Sequence, residues 1–231
     1  MEPFDVAGIA ARNVPVLCMD TCSILDLIRE PTRDDMRDLR PREAMKLLDQ
    51  AQAGRLALFM APQVHTEFRE HVDEVSKQAE IALKKFVAKI EQVNAHAAEF
   101  GAENIFVTDH WDGHVARAKG KVDLLLQATM LTQQPDDAAS RAYLRMCEAR
   151  APARMGKDSM KDCVVIETYL QNIRDLREAG HSEKVVFLSS NVKEYRDEAK
   201  LRAELDVEFK ALGIEYAHGY GLARHILGFP V

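Results

Sequence analysis

The chain is poor in cysteine: Cys18, Cys22, Cys147 and Cys163 are its four in 231 residues. So few thiols in a chain of this size do not make a disulfide framework. Cys18 and Cys22 have no CxxC partner and no histidine pair nearby, which argues against a zinc site. Reduced, mostly buried thiols are the expectation. Long apolar runs are missing too, since none approaches the roughly 18 residues of a membrane span. The opening "MEPFDVAGIA" has neither the basic start nor the apolar core of a signal peptide. A soluble cytoplasmic protein with no membrane partner is therefore expected. Low-complexity tracts, internal repeats and domain-separating linkers are absent. Positive charge is not in excess, with 31 Lys and Arg against 37 Asp and Glu and a net charge of −6. That balance does not advertise a nucleic-acid binder, although net charge says little about local fields.

What is present is enough apolar residue, 47%, to build a substantial core. Residues 14–19 of "VPVLCMDTCSILDLI" read as a short buried strand. A helix over 22–30 follows, with Thr21 as its N-cap. A helix at 43–53 is stopped by Gly54, and "RLALFMAP" is a second strand. Strand, helix, helix, strand is the rhythm of an α/β fold with a parallel sheet. "KVVFLSS" is a third strand and "GIEYAHG" a fourth, with helices at 159–179 and 197–211.

Between the second and third strands the period is helical. Apolar residues from Val64 through Phe68, Val75, Leu83, Ile90 and Val93 to Phe100 recur every three or four positions. Unbroken, that stripe is ~55 Å long, more than a small core can cover. It must break, or its far half must leave the core and pair with another helix. Helices at 114–131 and 136–149 are the candidate partners. A single domain over 1–231 is expected, with 76–150 a helical insertion outside the sheet.

The chemistry-bearing residues gather at strand ends. In open parallel sheets, sites form beyond the carboxyl ends of the strands. Asp20 sits at such an end. Glu67 lies about one turn into the helix after the second strand, and Asp162 opens the helix of "KDSMKDCVVIETYL". "SSN", residues 189–191, follows the third strand directly. Three carboxylates and an amide at one edge repel unless a cation sits among them. Hard oxygen ligands suit Mg²⁺ or Mn²⁺.

This constellation resembles the PIN-domain nucleases. The matching pieces are "VPVLCMDTCSILDL", "LFMAPQVHTEFREH", "KDSMKDCVVIETYL" and "VVFLSSNVKEY". The resemblance implies a three-layer α/β/α fold with a central parallel sheet and a divalent metal at an acidic pocket. It implies Asp20, Glu67 and Asp162 as the acids and Asn191 in the fourth position. Ser189 or Ser190 would supply a small hydroxyl, and Thr21 would orient Asp20. The fourth position is Asn, which brings no charge, and Asp158 is a candidate substitute. The implied activity is endonucleolytic, with RNA preferred and DNA as the alternative. An antitoxin or a second copy of the chain are the partners left open.

Substrate holding must come from cations. Residues 141–161 form the most basic stretch and run into the helix of Asp162. Arg150, Arg154, Lys157 and Lys161 are the candidate phosphate contacts. Two rivals remain beside the nuclease. A haloacid-dehalogenase-type phosphatase needs a second Asp two residues after Asp20, where this chain has Cys22. The other is a PIN-like fold without activity that serves as a binding module.

Overall fold

A computed structural model describes residues 4–33, 41–102, 106–154, 156, 158–198 and 200–229. The chain begins with α1 (Val6–Arg12), β1 (Val16–Met19), α2 (Thr21–Asp26), α3 (Pro41–Gln52) and β2 (Ala57–Met60). It continues with α4 (Pro62–Glu99), α5 (His114–Gln127), β3 (Thr129–Leu131), α6 (Ala138–Cys147), α7 (Met160–Glu178) and β4 (Val185–Leu188). A short α8 (Val192–Tyr195) leads into a small hairpin, β5 (Arg196–Asp197) and β6 (Lys200–Leu201). The last elements are α9 (Ala203–Leu212), β7 (Ile214–Ala217) and α10 (Tyr220–Ile226).

The main sheet is parallel throughout, in the order β3-β2-β1-β4-β7. Every residue of β1, β2 and β4 is buried, as continuous apolar runs in a doubly covered sheet must be. The chain steps from β1 to β2 to β3 in one direction, then crosses back to β4 and on to β7. Right-handed crossovers therefore put α2 to α5 on one face and α6 to α9 on the other. The contacts agree: α10 packs on α3, while α1 packs on α7 beside α6 and α9. The fold is thus a three-layer α/β/α sandwich. Its direction reverses between β1 and β4, and a crevice opens at that point in such sheets.

Tyr169 of α7 locks the carboxyl ends of the two central strands. Its hydroxyl donates to the Met19 carbonyl at 2.6 Å and accepts from the Ala61 amide at 3.0 Å. Two strands are thereby held level where the functional residues begin.

Three expectations need correction. Asp20, not Thr21, is the N-cap of α2. The helix expected over 114–131 ends at Gln127, and Thr129–Leu131 pairs with β2 as an edge strand. The segment 76–150 therefore does not lie wholly outside the sheet. Three residues are too few for an alternating pattern to show, and Val122, Leu126 and Met130, each four apart, continue a helical spacing into them. Finally, the residues after Tyr195 form a hairpin rather than the start of the helix expected at 197.

The long stripe is one unbroken helix. α4 has 38 residues, about 57 Å at 1.5 Å per residue. Its buried residues are Val64, Phe68, Val75, Ser76, Ala79 and Leu83. The far half leaves the core, and α5 runs antiparallel beside the stretch from Asp73 to Phe86. Lys119 meets Asp73 at 3.3 Å, while Trp111, just before α5, packs edge-on against Phe86. The other candidate partner, α6, packs on α7 instead.

An ion network ties α6, α7 and α9 together. Arg145 is fully buried and donates to Glu167 at 2.7 Å, to Glu208 at 2.8 Å and to the Ala151 carbonyl at 2.6 Å. Removing one partner of a buried pair strands the other charge. Arg145→Met should therefore lower unfolding free energy by about 3–5 kcal/mol, read by urea denaturation. Adding Glu167→Gln to that variant should recover part of the loss, because it neutralises the stranded carboxylate.

Candidate active site at the carboxyl edge of the sheet

β1 and β4 are neighbours and end at the same level, Met19 opposite Leu188. The ladder continues one residue further on both. The Asp20 amide donates to the Leu188 carbonyl at 3.0 Å, and the Ser189 amide to the Ala217 carbonyl at 3.0 Å. Asp20 and Ser189 are therefore fixed by backbone on either side of the reversal point.

The Asp20 carboxylate is buried, with 4% exposure. One oxygen accepts from the Thr21 amide at 2.8 Å. The other accepts from the Ser189 hydroxyl at 2.7 Å and the Cys22 thiol at 3.1 Å. Burial pushes the Asp20 carboxyl above its ordinary range, and the Glu67 charge pushes the same way. The hydrogen bonds from Ser189, Cys22 and Thr21 oppose that shift without cancelling it. Thr21 donates its hydroxyl to Glu67 at 2.8 Å. The other Glu67 oxygen accepts from Gln63, one turn earlier on α4, at 3.2 Å. Asp20, Thr21 and Glu67 thus form one connected chain from β1 to α4.

Asp162 lies in the first turn of α7 and is half-buried. Its charge and that of Asp20 both reach the phenol of Tyr195. Asn191 is half-buried and caps α8, but its side chain makes no capping bond. Asp158 is exposed and accepts from the Met160 amide at 3.2 Å. Since α7 begins at Met160, Asp158 and Asp162 do not share a helical face. The small hydroxyl on Asp20 is that of Ser189. Ser190 instead donates its amide to Ser23 at 2.9 Å, and its hydroxyl stands beside Cys22.

The expected phosphate contacts separate. Arg150 is paired with Glu148 at 2.7 Å and Glu208 at 3.0 Å, within the network of Arg145. Arg154 faces Glu194 at 3.9 Å. Lys161 is exposed and donates to Glu70 at 3.1 Å. That bond, with the charges of Glu67 and Asp158, raises the Lys161 pKa. Lys157 lies outside the described residues. An apolar hollow of about 340 Å³ elsewhere, lined by Leu27, Met45, Trp111 and Ala118, contains none of these groups.

In sequence Cys22 reads only as an ordinary buried thiol. Its position two residues after Asp20, at a helix start, was the available signal. Burial and the Asp20 charge hold the thiol protonated, so it serves as a donor. Arg145 falls within the basic stretch 141–161, yet it is entirely spent within the fold.

Among the described residues, no three His, Cys, Asp or Glu side chains stand close enough to enclose a metal ion. The donor chemistry still fits a hard divalent cation. Mg²⁺ keeps several waters and is commonly held by only one or two carboxylates. Asp20 and Glu67 supply two such groups, joined through Thr21. The strain on Asp20 from burial and from Glu67 is what a cation relieves.

A family model for the PIN domain matches residues 17–195. The chain belongs to the PIN-domain family. The match runs from β1 into α8 and takes in Asp20, Glu67, Asp162 and Asn191. No curated protein and no solved structure matches the chain. Membership makes this PIN domain a nuclease-like module in general class. None of its helices in the described residues is long and apolar enough to cross a membrane.

A carboxyl group whose pKa is raised by folding costs stability once ionised at neutral pH. Asp20→Asn should therefore leave the metal-free melting temperature equal or higher. Mn²⁺ should raise the melting temperature of the wild-type PIN domain and leave that of Asp20→Asn unmoved. Thermal melts with EDTA and with Mn²⁺ check both outcomes.

Proposed function

We propose that this PIN domain is a metal-dependent endonuclease that hydrolyses phosphodiester bonds, with RNA as the preferred substrate. The carrying observation is the chain Asp20–Thr21–Glu67 at the reversal point of the sheet. A rigid sheet edge presents a buried carboxylate there, already oriented by three donors. Nothing in a structural cap calls for a second carboxylate connected through a threonine.

Asp20 and Glu67 would hold Mg²⁺ or Mn²⁺, with Asp162 and Asn191 completing the rim. When bound, that cation supplies Lewis-acid chemistry: it neutralises the scissile phosphate and acidifies water. Ser189 and Cys22 keep one Asp20 oxygen in place, and Thr21 keeps Glu67 turned toward it. The neighbouring hydroxyls are committed as donors to carboxylates, and the Cys22 thiol stays protonated. Attack therefore belongs to water rather than to a side chain. Lys161 and Arg154, whose ion pairs to Glu70 and Glu194 are partly exposed, are the cations able to exchange them for substrate phosphates. The preference for RNA rests on the family likeness.

A second reading is a binding module without catalysis. The absence of a third carboxylate around one point among the described residues and the amide at Asn191 favour it. Cleavage separates the two. Purified protein should cut single-stranded or structured RNA in Mn²⁺, lose activity in EDTA, and lose it in Asp20→Asn and Asp162→Asn. Binding that persists without cutting in any divalent cation would select the second reading.

Salt dependence separates the cations. Lys161→Ala should reduce the slope of log affinity against log salt by about one unit for the lost phosphate contact. Arg150→Ala should leave the slope unchanged and lower stability, because its charge is used by Glu208. Binding titrations at several salt concentrations, with a melt of each variant, check both.

A further inference from the structure

Four of the five tyrosines surround the sheet, and three of them spend their hydroxyls on backbone. Tyr169 donates to the Met19 carbonyl. Tyr216 donates to the Ser189 carbonyl at 2.7 Å. Tyr220 donates to the Ser23 carbonyl at 3.1 Å. The fourth, Tyr195, is fully buried, yet its hydroxyl has no hydrogen-bond partner among the described residues. A buried hydroxyl without a partner carries a desolvation penalty that folds rarely leave standing.

The ring is enclosed by aromatic neighbours. It packs edge-on against Phe187 at 5.1 Å and lies tilted against Tyr216 at 6.1 Å. Its backbone carbonyl is tied to the Arg202 amide at 3.0 Å. α8 leaves the end of β4 directly after Asn191, which brings Tyr195 in behind the strand end that carries Ser189. The groups whose charge it feels are Asp20, Asp162, Cys22 and Tyr216. The Asp20 oxygens are already occupied by Thr21, Ser189 and Cys22. Tyr195 therefore lies within electrostatic reach of two carboxylates and hydrogen-bonds to neither. Burial and these acids hold the phenol firmly protonated, which makes it a donor and not an anionic ligand.

We infer that Tyr195 is a positioning residue of the cation site: its hydroxyl donates to a hydrating water held between Asp20 and Asp162 when the divalent cation binds. This rests on the metal-dependent reading above and deepens it, by assigning the link between Asp162 and the Asp20–Glu67 pair. A water oriented by a neutral donor and a second carboxylate explains how Asp162 takes part without closing a three-carboxylate cluster. It also explains why a hydroxyl is kept on a ring whose packing Phe alone would satisfy.

The test is calorimetric titration of the metal-free full chain with MnCl₂, paired with thermal melts. Tyr195→Phe should bind Mn²⁺ about threefold to tenfold more weakly, the worth of one hydrogen bond. Its metal-free melting temperature should hold or rise, because an unpartnered buried hydroxyl is gone. Tyr220→Phe should show the opposite signature, with Mn²⁺ affinity unchanged and melting temperature lowered by the loss of its bond to Ser23. Wild-type Mn²⁺ affinity in Tyr195→Phe would overturn the inference and leave the metal-dependent reading standing. A metal-free loss of stability in Tyr195→Phe would also overturn it, by showing that the hydroxyl has a structural partner. A wild-type chain with no Mn²⁺ site sensitive to Asp20→Asn would overturn both.

Discussion

The structure turns on one hydrogen bond, from the Asp20 amide to the Leu188 carbonyl. It extends the parallel ladder one residue beyond β1 and places a carboxylate where the chain reverses direction across the sheet. Everything nearby adapts to that buried charge. Thr21, Cys22 and Ser189 turn donors toward it, Tyr169 keeps the strand ends level, and Thr21 relays the connection to Glu67. The core beneath is entirely apolar along β1, β2 and β4, so the site stands on the least deformable part of the molecule. A carboxylate held this way needs no reorganisation when a cation arrives.

The same rigidity explains the division of the basic residues. Arg145 looks, in sequence, like one more charge in a cationic stretch. In the fold it is the centre of a buried junction, satisfied by two glutamates and a backbone carbonyl. Charge counted along a chain cannot distinguish a cation facing solvent from one that fastens three helices. Lys161 and Arg154, a few residues on, remain at the edge of the acidic groups because α7 starts there.

Much of the fold was legible because its strands are fully buried, and full burial demands unbroken apolar runs. β1, β2, β4 and β7 each announce themselves that way or by their turn residues. β3 did not, since three residues after a helix of the same apolar spacing carry no pattern of their own. Nor did α1 and α10, which are seven residues each and too short for a period to emerge. The acids Asp20, Glu67 and Asp162 were legible from their positions after strands and at helix starts. The supporting donors were not. Cys22 and Tyr195 are apolar-looking residues in apolar surroundings, and their polar atoms matter only because tertiary packing brings them within reach of a carboxylate. Ser189 and Ser190 differ by one place in sequence, and only the strand register decides which one reaches Asp20.

α4 has a consequence of another kind. A single helix joins two mechanical regimes, one rooted against the sheet through Val64 to Leu83 and one beyond it with no buried residue. Amide protons along one continuous hydrogen-bond ladder will therefore exchange with solvent by different routes. Near Glu67, exchange requires the whole domain to open; past Leu83, fraying from the tip suffices. Substitutions in the outer turns leave the Thr21–Glu67 link undisturbed, so that stretch can diversify in sequence without any cost to the chemistry at its base.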